Sequence, residues 1–78
     1  MDLKQLRERA GLKAIDVAYR LGVAESTVRN WEKGRSIPRL APDQFRTICN
    51  MYKCSFEEWI EAYETTADKY DRFRNDDG

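Results

Sequence analysis

Between residues 25 and 30 the sequence ESTVRN sets a carboxylate, two hydroxyls, a guanidinium and a carboxamide close together along the chain. These groups suit recognition of planar, polar edges. Arg29 can give paired hydrogen bonds to guanine and Asn30 to adenine, while Glu25 can accept from the amino group of cytosine or repel neighbouring phosphates. Ser26 and Thr27 suit phosphate oxygens, and the Thr27 methyl suits thymine. Lys33, Arg35 and Arg39 follow, and cations of this kind add salt-dependent affinity for a phosphate backbone without sequence choice. A second reading stays open, in which the face is solvated surface with Glu25 and Arg29 paired at i, i+4 for a few tenths of a kcal/mol.

Other chemistry is scarce. The 78 residues contain no histidine and two cysteines, Cys49 and Cys54. That excludes a Cys/His zinc cluster and any mechanism needing an imidazole base. Both cysteines are expected as packed, reduced thiols. With no cluster of nucleophile, base and orienting group, the expectation is a protein that is not an enzyme and uses neither cofactor nor metal.

Three short helices must position the 25–30 segment. Leu3, Leu6 and Ala10 share one side of a helix over 2–10, with Asp2 placed to cap its start and Gly11 its end. Val17, Ala18 and Leu21 mark a second helix, 14–21, stopped by Gly22. Val28 and Trp31 set the inner side of a third, 25–33, which turns Glu25, Ser26, Thr27, Arg29, Asn30 and Lys33 outward or to its flanks. The link between the second and third is too short for an antiparallel hairpin, so the two cross steeply. Ala18 supplies the small residue that the crossing demands, and Val17, Leu21, Val23, Val28 and Trp31 form the shared core. Downstream, Pro42 and Asp43 open a helix over 42–52. Ser55 and Glu58 form a capping box before a fifth helix that begins at 56. No segment alternates as a strand would, so the fold class is all-α with five helices.

The charge distribution agrees with a one-sided surface. Residues 1–40 carry nine Lys/Arg against five Asp/Glu, a net of +4, and residues 41–78 carry five against nine, a net of −4. A basic front with an acidic back fits a polyanion bound through one face, and it also fits two solvated halves. The length suits one domain. No apolar run reaches membrane-spanning length and no signal-peptide pattern opens the chain, so a cytoplasmic protein with no membrane partner is expected.

The pieces LRERAGL, VAYRLGV, STVRNWEKG and IP, in that order and followed by SFEEWI, resemble the DNA-binding domain of the Cro and lambda-repressor type, the XRE family of transcriptional regulators. The resemblance runs from about Leu3 to Ile60. It implies a five-helix domain that sets its third helix in the major groove of double-stranded operator DNA, generally as a homodimer, with Glu25, Ser26, Thr27, Arg29 and Asn30 at base- or phosphate-reaching positions. Four features depart from the family pattern. Lys13 and Ala14 replace a Ser or Thr followed by Gln, so Lys13 would take over a phosphate contact while Ala14 makes no polar brace. Ala24 stands where a capping Ser or Thr is usual, a loss of about 1 kcal/mol. The loop before the fourth helix is longer, and Lys53 occupies a common helix-ending glycine position.

The last part of the chain allows two readings. Phe56, Trp59, Tyr63, Thr66, Tyr70 and Phe73 follow the 3,4 spacing of a helical seam, which would carry the fifth helix to about residue 74. Alternatively, Thr65 and Thr66 end it and an acidic tail follows. The expected division is a DNA-binding domain over 1–62 and an extension over 63–78. In a continuous helix Tyr63, Tyr70 and Phe73 would stand beyond the five-helix core and seek another apolar surface. A second copy could supply it, or the tail could fold back over Ile15 and Tyr19, an odd exposed pair on the second helix. Trp31 and Trp59 are expected in the core. The rival function is an adaptor or antitoxin whose tail grips a partner protein.

Overall fold

The computed structural model describes the backbone of residues 1–76 and the side chains through Tyr70. Five helices follow one another: α1 Leu3–Arg9, α2 Ala14–Leu21, α3 Glu25–Glu32, α4 Pro42–Tyr52 and α5 Phe56–Asp76. No strand occurs among the described residues. The expected all-α class and helix order hold, with boundaries corrected in two helices: α1 covers Leu3–Arg9 rather than 2–10, because Asp2 and Ala10 are its caps. Lys33 has left helical geometry at φ −100°, ψ 6°, so α3 stops one residue early.

Four of the helices end the same way. In each, a residue in the left-handed conformation follows the last turn: Gly11, Gly22, Gly34 and Lys53. The next N–H then reaches back five residues, from Leu12 to the Arg7 carbonyl (3.2 Å), Val23 to Ala18 (3.0 Å), Arg35 to Asn30 (2.9 Å) and Cys54 to Cys49 (3.1 Å). This is the Schellman motif, which satisfies last-turn carbonyls and brings the two bridged residues together. At the end of α2 the bridged pair is Ala18 and Val23, both in the α2–α3 core. Lys53, at φ 53°, holds a conformation that costs a side-chain-bearing residue about 1–2 kcal/mol. Glycine there loses part of that gain to backbone entropy, so Lys53→Gly is expected to stabilise the fold by about 0.5–1 kcal/mol in urea unfolding. A neutral or destabilising result would mean that the lysine side chain contributes an interaction of its own.

Helix starts also follow the expected signals. Asp2 and Gln5 exchange hydrogen bonds at 2.9 Å each, and Ser55 and Glu58 do so at 3.0 and 3.1 Å. Hydrogen bonding to Ser55 holds the Glu58 carboxyl below its usual range, so this cap weakens as pH falls through the carboxylate range.

The core gathers Leu3 and Leu6 from α1, Val17, Ala18 and Leu21 from α2, Val28 and Trp31 from α3, Ile48 and Tyr52 from α4, and Trp59 and Ala62 from α5. Both tryptophans are buried, as expected. Phe45 bridges two rings edge-on, at 5.4 Å to Phe56 and 5.5 Å to Trp59, and Tyr63 stacks on Trp59 at 6.5 Å.

Thr65 and Thr66 do not end α5. Their hydroxyls donate to the carbonyls of Glu61 and Ala62, both at 2.9 Å, four residues back within the same helix. Thr66 Oγ1 also accepts from the Leu3 N–H at 2.9 Å. One buried hydroxyl thus satisfies an orphan donor at the start of α1 and fixes α5 against it. The division expected at 62/63 falls inside a continuous helix.

The tail lies against its own domain, but not where a fold-back was expected. Tyr63 is half-buried on Trp59, and Tyr70 packs over Gly34 at the end of α3. Ile15 and Tyr19 remain 50% and 85% exposed. The Phe73 side chain lies outside the described residues.

Candidate nucleic-acid interface

Helix α3 is held from beneath. Val28 is fully buried and Trp31 is 5% exposed, so the two set its inner face. Glu32, one turn beyond Val28, is buried as well. Its carboxylate takes two hydrogen bonds from Arg7 of α1, Nε to Oε2 at 2.6 Å and Nη2 to Oε1 at 3.1 Å. The third arm of the guanidinium, Nη1, donates to the Leu12 carbonyl at 2.8 Å. The bidentate bond to Glu32 raises the Arg7 pKa above its already high ordinary value. This pair ties the last turn of α3 to α1 and to the turn that follows α1. Residue spacing along the chain did not reveal it.

The opposite side of α3 carries the expected contact groups. Ser26 and Arg29 are exposed, and Glu25, Thr27 and Asn30 are half-buried. Glu25 and Arg29 form the i, i+4 pair that the alternative reading anticipated. Arg29 Nε and Nη2 both donate to Glu25 Oε2, at 2.9 and 2.7 Å. Ala24 precedes the helix without a side-chain cap, as its residue type requires.

The α3 terminus brings further groups alongside. Its Schellman turn bonds the Arg35 N–H to the Asn30 carbonyl, so the chain doubles back beside the helix. Thr27, Arg35, Arg39 and Gln44 line one open groove of about 680 Å³. Gln44 was absent from the sequence-based candidates. It accepts from the Ala41 N–H at 2.8 Å and donates to the Leu21 carbonyl at 3.3 Å, bracing the start of α4 against the end of α2. Its place three residues after Ala41, at the third position of α4, is the signal that could have found it.

Lys33, Arg35 and Arg39 are all exposed. Lys13 is also exposed, at the start of α2, where its backbone N–H donates to Asp16 Oδ2 at 3.0 Å. Lys13 does not line the groove that holds Arg35 and Arg39. Tyr63, Tyr70, Ile15 and Tyr19, named above as candidate dimer or partner residues, do not form one patch. The two tail tyrosines lie on the α3 and α5 side, whereas Ile15 and Tyr19 border a separate shallow hollow with Leu12 and Met51.

Among the described residues no cluster of three or more His, Cys, Asp or Glu side chains could hold a metal ion. No helix among them is long and apolar enough to cross a membrane. Searches of curated proteins and of solved structures found no match. A family model described as a helix-turn-helix domain matches residues 2–62, which covers α1 to α4, the first turns of α5 and every residue of the groove. With that match, the chain belongs to the helix-turn-helix domain family, which points to DNA binding.

Proposed function

We propose that the protein is a sequence-specific, double-stranded DNA-binding transcriptional regulator of the XRE type that reads the major groove with α3. The observation that carries this reading is the bracing of Arg29. Glu25 occupies the Nε edge of the guanidinium and leaves its other end, Nη1 with the second N–H of Nη2, for a partner on a side chain that is itself exposed. That end presents two parallel donors, the arrangement that guanine O6 and N7 accept. On this account the i, i+4 pair is part of the reading face, because it limits the rotamers that Arg29 must give up on binding.

The neighbouring groups then divide by role. Asn30 suits an adenine edge, while Ser26 and Thr27 suit phosphate or the thymine methyl. Lys33, Arg35 and Arg39 lie along the following turn and loop, where they neutralise phosphates. Two copies on a two-fold operator would follow the usual geometry of such domains. Ile15 and Tyr19 on α2 leave apolar surface for a second copy or another protein.

The experiment is selection from a random DNA pool at moderate salt, beside the Arg29→Ala, Asn30→Ala double variant. A sharp motif lost by the double variant supports the reading, and its symmetry reports whether one copy or two bind. On the selected site, Arg29→Ala alone is expected to cost about 1–3 kcal/mol of binding and relax preference at one base pair. An equal loss on every sequence would remove Arg29 from the reading face. Absence of any enriched motif would favour the adaptor reading instead.

A further inference from the structure

The cap at the end of α4 sets two thiols side by side. Cys49 and Cys54 are the two bridged residues of its Schellman motif, joined by the Cys54 N–H to Cys49 carbonyl bond at 3.1 Å and supported by Lys53 N–H to Asn50 carbonyl at 3.3 Å. Side chains at these two positions meet by the geometry of the motif. The thiols are close enough for each to perturb the ionisation of the other. Both are half-buried and unlinked, and Cys49 borders an open apolar groove with Phe45 and Phe56.

We propose that Cys49 and Cys54 are a dithiol modification site that reacts with low-molecular-weight disulfides and closes an intramolecular disulfide across the α4 cap. The motif draws the two backbones together without help from distant parts of the fold, which is the condition that a disulfide imposes on its two Cα atoms. The chemistry is two successive exchanges. The Cys49 thiolate attacks one sulfur of the small disulfide, forming a mixed disulfide and expelling one thiolate. Cys54, deprotonated in turn, attacks the Cys49 sulfur of that adduct and expels the second. The protein loses two electrons and two protons, and the small disulfide becomes two thiols.

Cys49 acts first because it borders the open groove; burial raises both thiols, Cys54 up to about 11, and at Cys49 the neighbouring thiol offsets part of the rise. Thiolate is therefore scarce near neutrality, and the reaction accelerates as pH rises from neutral into the alkaline range. The product joins the end of α4 to the residue just before Ser55, the cap of α5.

The test uses the full chain in mixtures of reduced and oxidised glutathione, followed by intact mass and by peptide mapping without reductant. The expected product is a monomer lighter by two hydrogens, with Cys49 cross-linked to Cys54. Cys49→Ser and Cys54→Ser should each stop at one glutathione adduct. The oxidised protein should keep its helix content and unfold at a higher temperature than the reduced protein. A wild-type chain that accumulates two glutathione adducts, or a cross-linked dimer, would overturn the proposal. So would an oxidised form of lower thermal midpoint, because closure would then require the cap to break.

Discussion

Glu32→Ala is expected to remove about 3–5 kcal/mol of stability in urea unfolding, as is Arg7→Ala. The two side chains are 6% and 9% exposed, so deleting either leaves the other charged, buried and short of its main partner. A chain of this size has a total stability of only about 5–15 kcal/mol, so either variant is left marginal or unfolded at room temperature. The paired replacement Arg7→Met, Glu32→Leu should recover most of the loss, because apolar side chains of similar volume need no partner. If a single variant lost under about 1 kcal/mol, the pair would behave as an exposed ion pair and the account of α3 being held from beneath would fail. By comparison, Arg9–Glu58 at 3.7 Å, with both side chains about half exposed, should be nearly silent in the same assay.

Gly34→Ala is the second large effect. Gly34 sits at φ +67°, where any side chain costs about 1–2 kcal/mol. A methyl group there would also lie 2.6 Å from the Tyr70 Cβ and 2.9 Å from Cγ and Cδ2. Cβ is fixed to the α5 backbone, so rotation of the ring does not remove the clash, and either the end of α5 or the turn after α3 must move. Gly22 is the control, since its φ is +73° and nothing lies within 4 Å of the added methyl. Gly34→Ala should therefore cost clearly more than Gly22→Ala, to a total above about 2 kcal/mol, and should expose the tail to proteolysis. Equal costs would mean that Tyr70 does not rest on Gly34. The same substitution disturbs the turn that holds Arg35 beside Asn30, so DNA affinity should fall with it.

What the sequence disclosed was mostly local. Asp2, Ser55 with Glu58, Pro42 and Gly22 act within a few residues of themselves, and each started or stopped a helix where it stands. Lys53 was legible as standing at a glycine position, and it adopts the conformation that glycine would. The outward groups of α3 followed from Val28 and Trp31 alone. The ambiguities lay where the deciding partner is distant in sequence. Thr65 and Thr66 are weak helix formers, and their continuation depends on packing and on an N–H at Leu3. Glu32 was assigned to neither face of α3, and no periodicity names Arg7 as its partner. The resting place of Tyr70 was hidden for the same reason, since only the folded chain brings Gly34 beneath it.

The bond between Thr66 and Leu3 joins residues 63 positions apart. The crossing of α2 and α3 and the packing of α4 on α5 join neighbours in the chain and close at a small entropic cost, whereas α1 and α5 meet across nearly its whole length. The order of assembly follows. By loop closure, the α2–α3 crossing is expected to form before the contact between α5 and α1, with Thr66 giving a low φ-value in folding kinetics. A weakened Thr66 contact therefore shortens the lifetime of the native state and leaves the speed of its formation nearly unchanged. On this account, the persistence of the folded domain would be set by its last helix.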